Sequence, residues 1–142
     1  MTIGTILSGR TGEIVTARRD MKVAEAVAIL SERKIGALPV VDGDAVVGVF
    51  SERDVIICLA REGAGVLETT VDRLMTSPAI TVERDTTVLA SLSLMTSRRI
   101  RHLPVVEGGR LVGIVSIGDL VKHRLDKIEA EAEAMRSYIQ SA

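Results

Sequence analysis

The stretch Ile35-Gly36-Ala37-Leu38-Pro39-Val40-Val41-Asp42 returns 65 residues later as Ile100-Arg101-His102-Leu103-Pro104-Val105-Val106-Glu107. The similarity extends to both sides of this stretch. When residues 15–55 are placed over residues 80–120 without a gap, 15 of the 41 pairs are identical. Because a repeat at constant offset reveals the structural unit before any local pattern does, the chain is predicted to contain two copies of one unit. A site that the unit needs should then occur twice, at matched positions.

Each copy is predicted to contain a short strand, a helix, two strands and a second helix. The short strands are expected at residues 14–16 and 79–81, and Asp20 and Asp85 are expected to cap the helices that follow. Apolar residues spaced i, i+4, i+7 form one stripe on each helix: Val23, Val27 and Leu30, then Val88, Leu92 and Met95. Apolar runs at 38–41 and 46–50, and again at 103–106 and 111–115, are separated by Gly-containing turns and predict two hairpins.

The segments outside the repeat also carry patterns. Short apolar elements at residues 3–7 and 71–75 precede the two copies at an offset of 68 rather than 65. Near the C-terminus, six apolar residues follow the 4-3-4-3-4 spacing of a heptad seam: Val121, Leu125, Ile128, Ala132, Met135 and Ile139. With under three heptads, this helix is expected to pack onto a partner subunit or back onto its own domain. The predicted division is a first repeat at 1–65, a second at 66–125 and a helical extension at 126–142.

Composition narrows the classes of function. The net charge is −1, and the chain has no Trp, one Phe and one Tyr, so nucleic-acid binding through a basic field or stacked aromatics is not expected. The single cysteine, Cys58, cannot form an intramolecular disulfide and fits a reducing compartment. The apolar runs fall short of the ~20 residues of a membrane span, and no signal peptide is visible, so a cytoplasmic protein is expected. Two histidines without ligand-spaced partners do not predict a metal site.

Ser51-x-x-Asp54 and Ser116-x-x-Asp119 each join an apolar strand to a helix. This pattern is typical of a capping box, in which the hydroxyl satisfies a free helix N–H. The same geometry also suits a nucleotide, because a helix N-terminus attracts phosphate and a carboxylate can accept hydrogen bonds from two ribose hydroxyls. Beside these motifs, Gly36 and Ala37 leave room for a flat ring, whereas Arg101 and His102 offer positive charge at the matched place. The basic residues at 33–34 and 98–101 fit either a solvated helix end or phosphate neutralisation.

Together these residues resemble the tandem CBS (cystathionine-β-synthase) module, also called a Bateman module. The resemblance runs from about residue 3 to residue 122 and is carried by the h-x-x-L-P-V-V (h, hydrophobic), V-G-[VI] and S-x-x-D elements, present twice in register. It implies an α/β fold of two β-α-β-β-α repeats related by a pseudo-two-fold axis. It also implies adenosyl ligands, such as AMP, ADP, ATP, NAD or S-adenosylmethionine, in clefts between the repeats.

The resemblance also implies roles for individual residues. Asp54 and Asp119 would hold ribose, and Ser51 and Ser116 would hold phosphate. Gly118 stands where the first repeat has Arg53, so one phosphate contact is expected in one cleft only. The base would be enclosed by residues from both repeats: Thr16, Ile35, Gly36, Ala37, Leu38 and Pro39, then Thr81, Ile100, Arg101, His102, Leu103 and Pro104.

Three classes of function follow. The first is a regulatory module that binds an adenine nucleotide, AMP before ATP, and acts as a homodimer on a separate regulated protein. The second is a structural or interaction module in which the Ser-x-x-Asp pairs are only helix caps and the C-terminal helix drives assembly. Catalysis is the weakest, because no nucleophile–base pair recurs and no P-loop is present, so no required cofactor is expected.

Overall fold

The computed structural model describes residues 1–10 and 12–141. Thr11, in the predicted first repeat, and Ala142, in the predicted extension, lie outside the described residues. The helices are α1 (Ile3–Ser8), α2 (Val23–Arg33), α3 (Glu52–Glu62), α4 (Val71–Leu74), α5 (Val88–Arg98) and α6 (Ile117–Ser141), with a 3₁₀ turn at Ala64–Glu68. The strands are β1 (Ala17–Arg18), β2 (Ala37–Asp42), β3 (Ala45–Ser51), β4 (Val82–Glu83), β5 (His102–Glu107) and β6 (Arg110–Ser116).

The two copies form two three-stranded sheets with the same topology. In each sheet a short strand pairs in parallel with the first hairpin strand, and the hairpin is antiparallel, giving the orders β1-β2-β3 and β4-β5-β6. The predicted hairpins are confirmed, each strand being one residue longer at both ends. Gly43 and Gly108 adopt positive φ in the two turns, as two-residue hairpin turns require.

The beginnings of the copies differ from the prediction. β1 and β4 start three residues later than predicted, and Asp20 is not a helix cap: it lies in a turn before α2, whose N-cap is Lys22. Asp85 is not a helix cap either, because the N-cap of α5 is Thr87. Backbone carbonyls from distant segments also reach the two helix N-termini. The N–H of Val23 donates to the Thr69 carbonyl, and the N–H of Val88 donates to the Met1 carbonyl.

The hydrophobic cores are interleaved between the two halves of the chain. Ile3 and Leu7 of α1 pack with Val82, Val88 and Met95 of the second half. Val71 and Leu74 of α4 pack with the core residues of the first half, among them Leu38 and Phe50. Helix α1, which precedes the first sheet in the chain, therefore packs on the second sheet, and helix α4, which precedes the second sheet, packs on the first. The boundaries predicted at residues 65 and 125 stay predictions.

The last helix, α6, is continuous over 25 residues. Leu120 is fully buried in the second core, but every described residue after Lys127 is exposed. Of the two alternatives predicted for this helix, packing back onto its own domain is therefore not found for residues 128–141, and packing onto a partner subunit stays a prediction. In the described part of the chain, no helix combines the length and apolar character that crossing a membrane would need.

Candidate functional site

Both Ser-x-x-Asp motifs form complete capping boxes in the structure. At the start of α3, the Ser51 N–H donates to Asp54 Oδ2 at 2.9 Å, and the Asp54 N–H donates to Ser51 Oγ at 3.3 Å. At the start of α6, the corresponding distances for Ser116 and Asp119 are 2.7 Å and 3.1 Å. All four side chains are only partly buried. The boxes hold the two carboxylates at fixed positions on the molecular surface.

Each carboxylate lies at the edge of a cleft built from both halves of the chain. The first cleft has a volume of about 270 Å³, near the lower limit of roughly 300 Å³ for small-molecule pockets. It brings the Ser51–Asp54 motif against the end of α5 and the start of β5. Its walls are Val49, Ser51, Glu52, Arg53, Asp54, Ile57, Thr76, Ala79, Ile80, Arg99, Ile100, Arg101 and His102.

The second cleft is the counterpart of the first and is larger, at about 800 Å³. It brings the Ser116–Asp119 motif against residues 12–15 and 34–37 of the first half. Glu52, Arg101 and His102 form a wall shared by the two clefts. The remaining walls are Leu7, Arg10, Gly12, Glu13, Ile14, Val15, Lys34, Ile35, Gly36, Ala37, Arg84, Val112, Gly113, Ile114, Ser116, Ile117 and Asp119.

The first cleft concentrates positive charge. Arg53, Arg99 and Arg101 line it, and none of the three forms an ion pair among the described residues. The Arg53 guanidinium donates to the Arg99 carbonyl at 3.1 Å, which ties the start of α3 to the end of α5. In the second cleft, Arg10 and Arg84 are paired with Asp119 and Glu107, whereas Lys34 and the shared Arg101 have no ion-pair partner among the described residues. Three cations without such a partner thus line the first cleft and two line the second, Arg101 being common to both.

A strained backbone conformation recurs at the two clefts. Lys34 and Arg99, at matched positions, end α2 and α5 with φ of 54° and 55°, the only described non-glycine residues with positive φ. A left-handed conformation costs a non-glycine residue about 1–2 kcal/mol. Such conformations cluster at functional sites because surrounding structure holds them in place. Here the turn directs residues 35–37 and 100–102 into the clefts.

The two carboxylates have different second partners. The Thr76 hydroxyl donates to Asp54 Oδ1 at 3.2 Å, and Thr76 is held there by paired backbone hydrogen bonds with Val49. In the second cleft, the Arg10 guanidinium contacts Asp119 Oδ2 at 2.6 Å. Burial would raise the pKa of Asp119, but the hydrogen bond from the Ser116 N–H and the positive charge of Arg10 outweigh it and hold that pKa below its usual value. Asp119 is therefore occupied by a cation and Asp54 is not.

His102 occupies the space that the sequence assigned to a flat ring. A Cβ added to Gly36 would lie 3.1 Å from His102 Nε2 and 3.4 Å from Glu52 Oε1. The imidazole of the second half therefore packs directly on the Gly36 backbone of the first. Burial lowers the pKa of His102, although the charges of Glu52 and Asp119 oppose that shift. The net shift favours the neutral form of the ring.

The structure brings most of the sequence-predicted site residues to the clefts, but not all. Among these described residues, Thr16 and Thr81 are partly buried outside the two linings, Leu38 and Leu103 point into the cores, and Pro39 and Pro104 are buried outside both linings. Sequence reasoning missed Arg10, Glu52 and Thr76, whereas Arg99 belongs to the basic residues that it left open between a solvated helix end and phosphate neutralisation. Arg10 lies in the segment where the offset between the copies changes from 68 to 65. This change in spacing was the one signal in the sequence that the two copies differ there. No group of three or more described His, Cys, Asp or Glu side chains is arranged to hold a metal ion.

Comparison with known proteins agrees with this architecture. The family model of the CBS domain matches the chain twice, at residues 9–61 and 71–126. The CBS domain-containing protein CBSX3, mitochondrial, of Arabidopsis thaliana is 36% identical over 126 residues. That alignment covers 85% of this chain and 61% of the relative, so the chain spans about three fifths of that protein's length.

Solved structures share the fold. The CBS-domain containing protein ATU1752 from Agrobacterium tumefaciens superposes with a TM-score of 0.82 at 38% identity, over 87% of this chain and 92% of that one. The CBS domain pair of MJ0100, in complex with 5-methylthioadenosine and S-adenosyl-L-methionine, has a TM-score of 0.79 at 29% identity and coverages of 89% and 98%. CBSX2 in complex with AMP has a TM-score of 0.74 at 28% identity and coverages of 88% and 96%. The predicted α/β fold and its family are thereby confirmed: this chain belongs to the CBS-domain family and carries two CBS domains.

Proposed function

We propose that this protein is a regulatory module that binds an adenine nucleotide in the clefts between its CBS domains. AMP is the first choice of ligand and ATP the second. One observation carries the proposal: the first cleft is lined by the Asp54 carboxylate, held by a capping box, together with three arginines that have no ion-pair partner among the described residues. A carboxylate and several guanidinium groups at one edge complement a ribose and its phosphate.

The residues divide the ligand between them. Asp54 accepts hydrogen bonds from the ribose hydroxyls, and Ser51 with the N-terminus of α3 receives phosphate. Arg53, Arg99 and Arg101 neutralise the phosphate charge. Ile57, Ile80 and Ile100 supply apolar surface for the base. In the second cleft Gly118 provides no counterpart to Arg53, and Arg10 competes with ribose for Asp119, so the first cleft fills first.

Two related proteins support the ligand class, since CBSX2 has been solved with AMP and MJ0100 with S-adenosyl-L-methionine and 5-methylthioadenosine. In our proposal the protein acts in the cytoplasm as a homodimer. Nucleotide binding changes the relative orientation of the repeats or the dimer contact, and a separate protein responds to that change. Such a shift requires the nucleotide to bind one state more tightly than the other.

The test is thermal unfolding of the protein with AMP, ADP, ATP, NAD, S-adenosylmethionine or inorganic phosphate at fixed salt. A ligand at 100 times its Kd stabilises by about 2.7 kcal/mol, which raises Tm by several degrees for a chain of this size. We expect a selective rise with AMP or ATP. The rise should be lost in the Asp54→Asn/Asp119→Asn variant and kept in Asp20→Asn, whose carboxylate is exposed and outside both clefts.

A structural or interaction module is the second candidate. It is favoured by the capping boxes, because Ser51 and Asp54 already satisfy each other without a ligand. This function predicts that no nucleotide changes Tm. It also predicts that partners are held through the exposed apolar side chains of α6 rather than through the clefts.

A further inference from the structure

The exposed apolar seam of α6 is a feature of the molecule that the clefts do not use. Leu125, Ile128, Met135 and Ile139 are between 47% and 65% exposed, and they lie on one stripe of the helix with Val121 and Ala132. A contiguous exposed apolar stripe of this kind marks an interaction surface. Its spacing is that of a helix pairing with another helix through alternating a and d positions.

The spacing also assigns the heptad positions. Leu125, Ala132 and Ile139 occupy the a positions, and Val121, Ile128 and Met135 occupy the d positions. The charged residues that flank the seam then fall at g (Arg124 and Glu131) and at e (Lys122, Glu129 and Arg136). Residues at g and e lie beside the seam and meet the partner helix, so their charges select the orientation of the pair.

The charges favour one orientation. In a parallel, in-register pair, each g residue meets the e residue five positions later on the partner. Arg124 then meets Glu129, and Glu131 meets Arg136, so every charged pair is attractive. In the antiparallel register that overlaps the whole seam, Glu129 and Glu131 each meet their own copy and Lys122 meets Arg136. All of these pairs repel.

The charges that would form the parallel pairs are largely unused within one subunit. Arg124, Glu129 and Glu131 have no ion-pair partner among the described residues. Arg136 contacts Glu133 of its own helix, but that pair is about two-thirds exposed on both sides, and exposed pairs exchange partners at little cost.

We propose that the seam of α6 is the interface with a second copy of this chain, and that the two helices pair parallel and in register. This rests on the homodimer of the proposed function but not on nucleotide binding. In such a dimer the pair of CBS domains of each copy lies at the same end of the paired helices. A change in the orientation of α6 at Leu120, which is buried in the second core, is then transmitted to both copies together.

Disulfide trapping in the full-length chain tests the orientation. Cys58→Ser removes the native thiol, and Ala132→Cys or Ala130→Cys then places one cysteine inside or outside the seam. A parallel in-register pair brings position 132 next to its own copy. We therefore expect mild oxidation to convert the Ala132→Cys protein almost completely to a covalent dimer and to leave the Ala130→Cys protein uncrosslinked. Both positions are exposed alanines of the same helix, so the two variants are expected to fold equally well and form a matched pair.

A charge exchange provides the second measurement. Arg124→Glu places like charges opposite Glu129 in two symmetric contacts and is expected to raise the dimer Kd roughly ten-fold. Adding Glu129→Arg should restore the Kd. Since residues 124 and 129 are five positions apart and do not face each other on one helix, restoration requires contact between copies.

Different results separate the failures. A chain that is monomeric by light scattering at micromolar concentration overturns the interface. Crosslinking of an Ala132→Cys chain only with an Ile128→Cys chain means antiparallel pairing and overturns the orientation. Neither result touches the nucleotide proposal, which thermal shifts test in the same preparations. If no nucleotide changes Tm but the Ala132→Cys protein crosslinks completely, the α6 interface is supported and the nucleotide proposal is overturned.

Discussion

At the residue scale, the same aspartate in two copies of one motif has two different environments. Asp54 accepts a hydrogen bond from the neutral Thr76 hydroxyl, whereas Asp119 contacts the charged Arg10 guanidinium. The hydroxyl is a weak competitor for a ligand that donates hydrogen bonds to the carboxylate. The guanidinium is a strong one, because charged pairs form the stronger hydrogen bonds. A single side chain from the N-terminal segment therefore makes two nearly identical motifs unequal.

Replacing Arg10 by alanine should make the second cleft available. We expect Arg10→Ala to tighten nucleotide binding there and to raise the stoichiometry measured by titration calorimetry from one toward two per chain. Stability should fall by no more than about 1 kcal/mol, because the side chains of this ion pair are 38% and 37% exposed. Arg18→Ala, which removes an exposed pair with Asp20, is the control. Weaker binding in Arg10→Ala would instead make Arg10 a phosphate ligand.

At the element scale, two glycines at matched places in β3 and β6 allow two crossing segments, the chain after α4 and helix α1, to lie close to the sheets. A Cβ at Gly48 would lie 2.8 Å from the Thr76 carbonyl oxygen and 2.8 Å from Met75 Sδ. A Cβ at Gly113 would lie 2.8 Å from Leu7 Cδ2. The missing side chains let the segments after α4 and within α1 cross the sheets closely. At Gly48 the obstacle is backbone, which cannot move aside, while at Gly113 it is the end of a flexible side chain.

Gly48→Ala is therefore expected to be the more damaging of two matched substitutions. Overpacking against backbone should destabilise it by about 1–3 kcal/mol and lower Tm by several degrees. Displacement of Thr76 should also loosen the first cleft and weaken nucleotide binding. Gly113→Ala should cost less, since Leu7 can change rotamer. Chemical denaturation measures the free energy of unfolding of both variants. An equal loss in both would contradict the expected difference between a backbone and a side-chain obstacle.

At the scale of the whole molecule, the interleaved cores join the two halves into one structure. Leu7 is 9% exposed in the second core and Leu74 is 8% exposed in the first, although each belongs by sequence to the opposite half. Neither three-stranded unit buries its apolar face without a helix from outside its own repeat. This arrangement also forms the clefts, because the segment after each crossing helix runs on past the Ser-x-x-Asp motif of the other half.

Leu7→Ala tests this interleaving. The cavity should destabilise the protein by about 2–5 kcal/mol. Hydrogen exchange should lose protection mainly in β5 and β6, which are distant in sequence, rather than in β2 and β3. Leu74→Ala is the matched control and should loosen β2 and β3 instead. Loss of protection in β2 and β3 on Leu7→Ala would contradict the assignment of α1 to the second core.

Local features could be predicted from the amino-acid sequence: two repeats, two hairpins, two Ser-x-x-Asp helix starts and a heptad tail. Hairpin turns and capping boxes involve residues two or three positions apart, so their spacing suffices to predict them. Contacts between distant segments were set by the tertiary structure. It placed Arg10 on Asp119, His102 on Gly36 and carbonyls of Met1 and Thr69 at the helix starts where aspartate caps were expected. It also turned Leu38 and Leu103 into core residues rather than cleft walls. These outcomes depend on how two half-cores exchange helices, and no short-range spacing encodes that packing.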